Sequence, residues 1–252
     1  MRLGRRSVAW LAGALVALAP FVLLAQDFGF RSRFGQYPNV PYDGRFTFAR
    51  IRYAAYGGWR ADYPTMEENL TTMLHEITAL RPHVGRSNVH DFDDPELFRF
   101  PLAYLSEPGY WFPSETEAAG LRDYLHKGGF LIVDDFHFAN EWAVFEAAMR
   151  RVLPGARIDR LELSHPIFNT FFQIKSLDVP YPGWLGEQGV MGEFYGIHED
   201  NDPAKPLMVV INYNIDIGDY VEWSGREDVY ALVPTNEAYK FAINYVMYAL
   251  TH

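Results

Sequence analysis

The sequence predicts an α/β fold, a single three-layer domain with a mostly parallel sheet, helices on both faces, and a long irregular insertion around 164–206. Three observations carry this. Short β-prone runs alternate with helical patterns, the order that builds βαβ units and parallel strands. The run Phe130-Leu131-Ile132-Val133 is apolar at every position, as a strand covered on both faces must be. The chain has 252 residues, 49% of them hydrophobic, with no repeat and no low-complexity tract, which suffices for one sizeable core.

The chain begins with Arg2, Arg5 and Arg6 ahead of an apolar run of 18 residues, 8–25. Residues 1–25 read as a signal peptide, with Leu23 and Ala25 at the small-residue positions of a cleavage site, or as an uncleaved membrane anchor. Pro20 and the Ala- and Leu-rich run favour the signal peptide. Either reading places the folded part in the periplasm or another extracytoplasmic space, with membrane contact only through this segment. Residues 26–44, rich in Gly, Pro, Tyr and Arg, read as an extended lead-in, and 45–252 as the α/β domain.

Within the domain, residues 46–53 alternate and predict a strand that Gly57-Gly58-Trp59 ends. Thr65 and Glu68 predict a capping box, opening a helix whose stripe is Leu70, Met73, Leu74, Ile77 and Leu80 and which stops before Pro82. Residues 86–90 and 102–105 read as strands. Ser114 and Glu117 predict a second capping box, and Ala118, Leu121, Tyr124 and Leu125 give that helix its buried stripe. His126 and Lys127 suit the negative end of its dipole, and Gly128 suits the turn after it. The apolar strand 130–133 follows. Asn140 is expected to cap a helix with Phe145, Ala148, Met149 and Val152 inward, stopped by Pro154-Gly155. Residues 158–163 predict an edge strand and 207–211 a buried one. A last helix is expected over 235–249, with Ala238, Phe241, Ala242, Tyr245 and Val246 inward.

Composition excludes several chemistries. The formal charge of −10 becomes −13 once the three leading arginines are removed, a poor surface for neutralising nucleic-acid phosphates. No cysteine occurs, which removes disulfides, thiolate metal sites and any cysteine nucleophile. No GxSxG serine elbow and no phosphate-cradling glycine loop is present, so no cofactor is expected.

The run Tyr124-Leu125-His126-Lys127-Gly128-Gly129-Phe130-Leu131-Ile132-Val133-Asp134-Asp135 is similar to the helix, glycine pair and strand of the class I glutamine amidotransferase-like fold. Together with Arg52-Tyr53, Pro101-Leu102 and Ser164-His165-Pro166-Ile167-Phe168, it resembles the bacterial family called domain of unknown function 4159, over about residues 45–250. The resemblance implies a flavodoxin-like sheet and an exported or membrane-associated bacterial protein, and it implies no activity. Relatives encoded beside MoxR-type ATPases and von Willebrand factor A-like proteins imply envelope partners and a role in assembly or chaperoning. True amidotransferases use an elbow cysteine that this chain lacks, so it is not a cysteine-dependent amidotransferase.

Candidate site residues cluster where strands end. Asp134, Asp135 and His137 follow the apolar strand, where open α/β sheets bind ligands, and could hold a divalent cation or share acid–base work. Strand alternation sends the two aspartates to opposite sides unless the chain turns there; otherwise Asp135 caps the next helix and Asp134 pairs with an arginine. His165, before Pro166, is a candidate base or metal ligand, or a turn residue bonding to backbone. Asn212, Asn214 and Asp216 share a face at period two after strand 207–211 and suit an oxygen-rich ligand, or the wet face of an edge strand. Glu193, His198, Glu199, Asp200 and Asp202 read as a solvated acidic loop. Trp59, Tyr110, Trp111, Trp184 and Tyr195 fall in loops, where they stack on a ligand or pack the irregular region. The expected function is non-catalytic binding of a partner protein or envelope component. The alternative is a metal-assisted or acid–base hydrolase in which Asp134, Asp135, His137 and His165 converge; the identity of any metal is open.

Overall fold

The computed structural model describes residues 38–54 and 58–252. The expected leader, the first part of the lead-in and the glycine at 57 lie outside the described residues. Val40–His252 forms one compact unit. In chain order it contains β1 (Phe48–Ile51), α1 (Thr65–Ile77), β2 (Ser87–His90), β3 (Leu102–Ser106), α2 (Glu115–His126), β4 (Phe130–Asp134) and α3 (Phe138–Val152). There follow β5 (Asp159–Arg160), α4 (Trp184–Glu187), β6 (Glu193–His198), β7 (Leu207–Tyr213), α5 (Ile217–Glu222) and α6 (Leu232–Thr251). Among the described residues no helix is long and apolar enough to cross a membrane.

The strands form one seven-stranded sheet in the order β2-β1-β3-β4-β7-β6-β5. The first five run parallel, β6 runs antiparallel to them, and β5, antiparallel to β6, runs in their direction again. The predicted α/β class is therefore the observed one. The parallel five follow the doubly wound order whose direction of winding reverses between β1 and β3. At one edge, buried Asn88 of β2 accepts from the Val40 amide at 2.8 Å and donates to the Val40 carbonyl at 3.0 Å, tying the end of the lead-in to the sheet.

Alternation on the parallel strands feeds two layers. Phe48, Leu102, Tyr104, Phe130 and Ile132 join a core with Leu70 and Leu74 of α1 and Ala238, Phe241 and Tyr245 of α6. Ala103, Leu105, Leu131 and Val133, also buried, point to the opposite face, where α2 and α3 pack together. The capping box of α2 forms in full: the Glu117 amide donates to Ser114 Oγ at 3.2 Å and the Ser114 amide to Glu117 Oε2 at 2.7 Å.

Several expectations are corrected. Thr65 lies inside the first turn of α1 with Pro64 at the N-cap, so its capping box does not form. His137, not Asn140, occupies the N-cap of α3, because the chain already turns into the helix at Phe138. The edge strand at 158–163 pairs only at Asp159 and Arg160. The irregular stretch contains a full strand, β6, paired along β7 with a register shift between Ile197 and His198. Its bulge breaks strict alternation: Phe194, Gly196, Ile197 and His198 are all buried, which hides the strand from a period-two pattern. The supposed acidic loop therefore begins as a sheet strand, and His198 is buried rather than solvated.

Candidate functional site

The carboxyl ends of β1, β4 and β7 deliver three aspartates to one place. Asp62, Asp135 and Asp216 each present a carboxylate oxygen, and these oxygens lie within 4.8 Å of one another. Asp62 sits in the loop after β1. Arg50, fully buried on β1, holds that loop by donating from Nη1 to the Trp59 carbonyl at 3.0 Å and the Ala61 carbonyl at 2.7 Å, while its Nε bonds Glu67 of α1. Asp135 reaches the cluster because the chain does turn there: its φ is 62°, in the left-handed region that aspartate tolerates better than most residues. Asp216 caps α5, accepting from the Asp219 amide at 2.7 Å.

Asp134 has a different role. It is fully buried and accepts four hydrogen bonds, from Tyr104 Oη at 2.7 Å, Asn212 Nδ2 at 3.0 Å, and the amides of Ile217 at 3.3 Å and Gly218 at 2.9 Å. Both oxygens are thus committed to stapling β3, β4, β7 and α5 together, and among the described residues no arginine pairs with it. Asn212 completes the staple by accepting from Tyr245 Oη of α6 at 2.9 Å. Asn214 leaves the strand at φ 54°, accepts from the Phe138 amide at 3.2 Å and donates to Glu193 at 3.3 Å. The expected shared face of Asn212, Asn214 and Asp216 therefore does not exist, because β7 ends at Tyr213 and the backbone turns.

The electrostatics follow from burial of like charges. Burial, then Glu107 and Asp134, push the Asp135 carboxyl up to about 7. Asp216 and Asp62 are raised well above the usual carboxylate range, in each case by burial first and Asp135 second. Tyr181 donates to Asp135 Oδ1 at 3.2 Å, and Ser106 Oγ stands 3.5 Å from its Oδ2. His137 packs edge-on to Tyr181 with ring centroids 5.3 Å apart, and its backbone amide donates to Glu141 at 2.8 Å. Carboxylates so arranged either share protons or surround a hard cation, the ion that all-oxygen donor sets select.

His165 is elsewhere. Its Nε2 lies 3.2 Å from Nε2 of His198, at the end of β6 that pairs with Leu207, the first residue of β7. That is the amino end of the parallel strands, opposite the carboxylate cluster. Asp134, Asp135, His137 and His165 therefore do not converge. Asp62 and Tyr181 were missed by sequence reasoning; the usable signal for Asp62 was a short polar residue in the loop leaving a strand. Of the loop aromatics, Trp59 and Trp111 are buried packing residues, while Tyr110 and Trp184 are exposed.

The fold and its acidic centre define an open α/β domain with a carboxylate cluster at the carboxyl edge of the parallel strands. The model of the family described as domain of unknown function (DUF4159) matches residues 47–250, and the chain belongs to that family. No curated protein matches the chain.

Proposed function

We propose that this protein is an exported binding domain that holds a divalent cation between Asp62, Asp135 and Asp216 and presents it to an oxygen-rich group of an envelope partner. The single observation behind this reading is the approach of three carboxylate oxygens to within 4.8 Å of one another, two of the residues being buried. Bringing them together without a counter-ion is unfavourable, and a cation relieves that repulsion. The strand order supports kinship with the glutamine amidotransferase-like fold, without its cysteine. Export and the envelope partner rest on the basic and apolar start of the chain and on the family resemblance.

A second reading, metal-assisted hydrolysis, is favoured by one observation: His137 stands beside Tyr181, which bonds Asp135, so that His137 would be the candidate general base beside a cation held there.

Calorimetric titration of the chelator-treated protein with Mn²⁺, Mg²⁺ and Ca²⁺ tests the first reading. Binding is expected in the parent and in the control Asp123→Asn, weakened at least about tenfold in Asp135→Asn and Asp216→Asn. No binding heat at millimolar cation would overturn it. Hydrolysis of phosphoester or ester probes that disappears in His137→Ala while cation binding persists would select the second reading.

A further inference from the structure

The Asp62 carboxylate belongs to two groups at once. Besides the cluster with Asp135 and Asp216, it meets Asp219 and Glu222, again with one oxygen from each of the three residues within 4.8 Å of the others. Asp216, Asp219 and Glu222 recur every third residue at the cap and along one side of α5, so a single short helix supplies ligands to both groups. Asp62 is the hinge between them. Its Oδ2 is buried and has no hydrogen-bond partner among the described residues. That oxygen faces Gly218, between Asp216 and Asp219, where a Cβ would stand 2.5 Å from it. A side chain at 218 would collide with that oxygen, so glycine is what lets α5 approach Asp62 this closely.

Arg50 is the basic side chain whose field reaches Asp62 and Glu222; its Nε and Nη1 are committed to Glu67 and to two backbone carbonyls, its buried Nη2 has no hydrogen-bond partner among the described residues, and its one positive charge stands against several carboxylates. Five carboxylates, those of Asp62, Asp135, Asp216, Asp219 and Glu222, thus fall into two groups that share Asp62. A carboxylate has two oxygens and can bridge two metal ions, the arrangement in which paired cations stand about 3.5–4 Å apart.

We propose that the carboxyl edge of the sheet is a two-cation centre bridged by Asp62, with Asp135 and Asp216 completing the inner position and Asp219 and Glu222 the outer one. This rests on the cation-binding reading above and extends it to a second ion. The donor set is all oxygen, so the ions are hard divalent cations that keep part of their water shell.

Loading the full chain with Mn²⁺ tests the proposal by two readouts, bound metal per chain by elemental analysis and the electron paramagnetic resonance signal. Two Mn²⁺ per chain with a spin-coupled signal are expected in the parent. Glu222→Gln, at a partly exposed position, is expected to retain one ion with an uncoupled signal. Asp62→Asn, checked for folding by circular dichroism, is expected to lose the coupled pair. One uncoupled Mn²⁺ in parent and Glu222→Gln alike would overturn the second position and leave the single-cation reading standing. Two coupled ions in Glu222→Gln would overturn the assignment of the outer ligands. No bound Mn²⁺ in the parent would overturn both.

Discussion

At the scale of single residues, Arg50 is the side chain on which the site's geometry depends. It is fully buried, paired with buried Glu67, and lies 4.7 Å from the Tyr104 ring centroid. Arg50→Met leaves Glu67 buried without its partner and frees the loop that carries Asp62. Urea unfolding should show a loss of about 3–5 kcal/mol; a change below about 1 kcal/mol would show that the pair is not needed. His165 makes a second residue-scale case. The Ile167 amide donates to its Nδ1 at 3.2 Å, so the ring proton sits on Nε2 and is given to His198 Nε2. Burial, then His198 and His252, hold the His165 pKa down to about 4. Between about 4 and the ordinary value of 6.5 the unfolded chain binds more protons at this position, so its contribution to stability falls as pH drops through that window. Asp135, raised to about 7, acts with the opposite sign over much of the same range. The informative quantity is therefore the difference between parent and His165→Gln. The urea midpoint of the variant should drop less than that of the parent between pH 7 and pH 4.5.

At the scale of elements, capping decides how far local sequence specifies a helix start. Both Ser114-x-x-Glu117 and Thr65-x-x-Glu68 carry the same spacing, but only the first closes hydrogen bonds in both directions. Ser114→Ala should cost about 1 kcal/mol in thermal or urea unfolding. Thr65→Ala should change stability by less than about 0.5 kcal/mol, because Pro64 stands where the cap would be. Equal losses in the two variants would contradict this. The same limit explains β6: a bulge at Ile197 and His198 gives consecutive buried residues, so the segment does not announce itself by alternation. By contrast the strand 130–133 and the stripe of α2 were legible, since each depends on residues adjacent along the chain.

At the scale of the whole molecule, cation binding couples the carboxyl edge to global stability. Asp62, Asp135 and Asp216 come from loops after three different strands, and Asp216 also caps α5, so a cation held by them ties distant segments of the chain together. A ligand that binds only the folded chain at a hundredfold excess over its Kd adds about 2.7 kcal/mol. For a domain of this size the melting temperature should then rise by about 5–10 °C on adding saturating Mn²⁺, and by far less in Asp216→Asn. An identical shift in parent and variant would mean that the ion acts elsewhere.

The sequence by itself determined the α/β class, the helix, glycine pair and strand at the centre, the absence of cysteine chemistry, and the edge of the sheet where acidic residues gather. These depend on short-range periodicity, capping and composition. Only the tertiary structure decided which acids meet. Asp134 was drawn into a four-bond staple, Asp62 was brought in by Arg50, and His165 was carried to the opposite end of the sheet beside antiparallel β6. The physical reason is that strand order and direction are set by long-range packing, so two residues equally plausible as site groups along the chain can fold to opposite edges of one sheet.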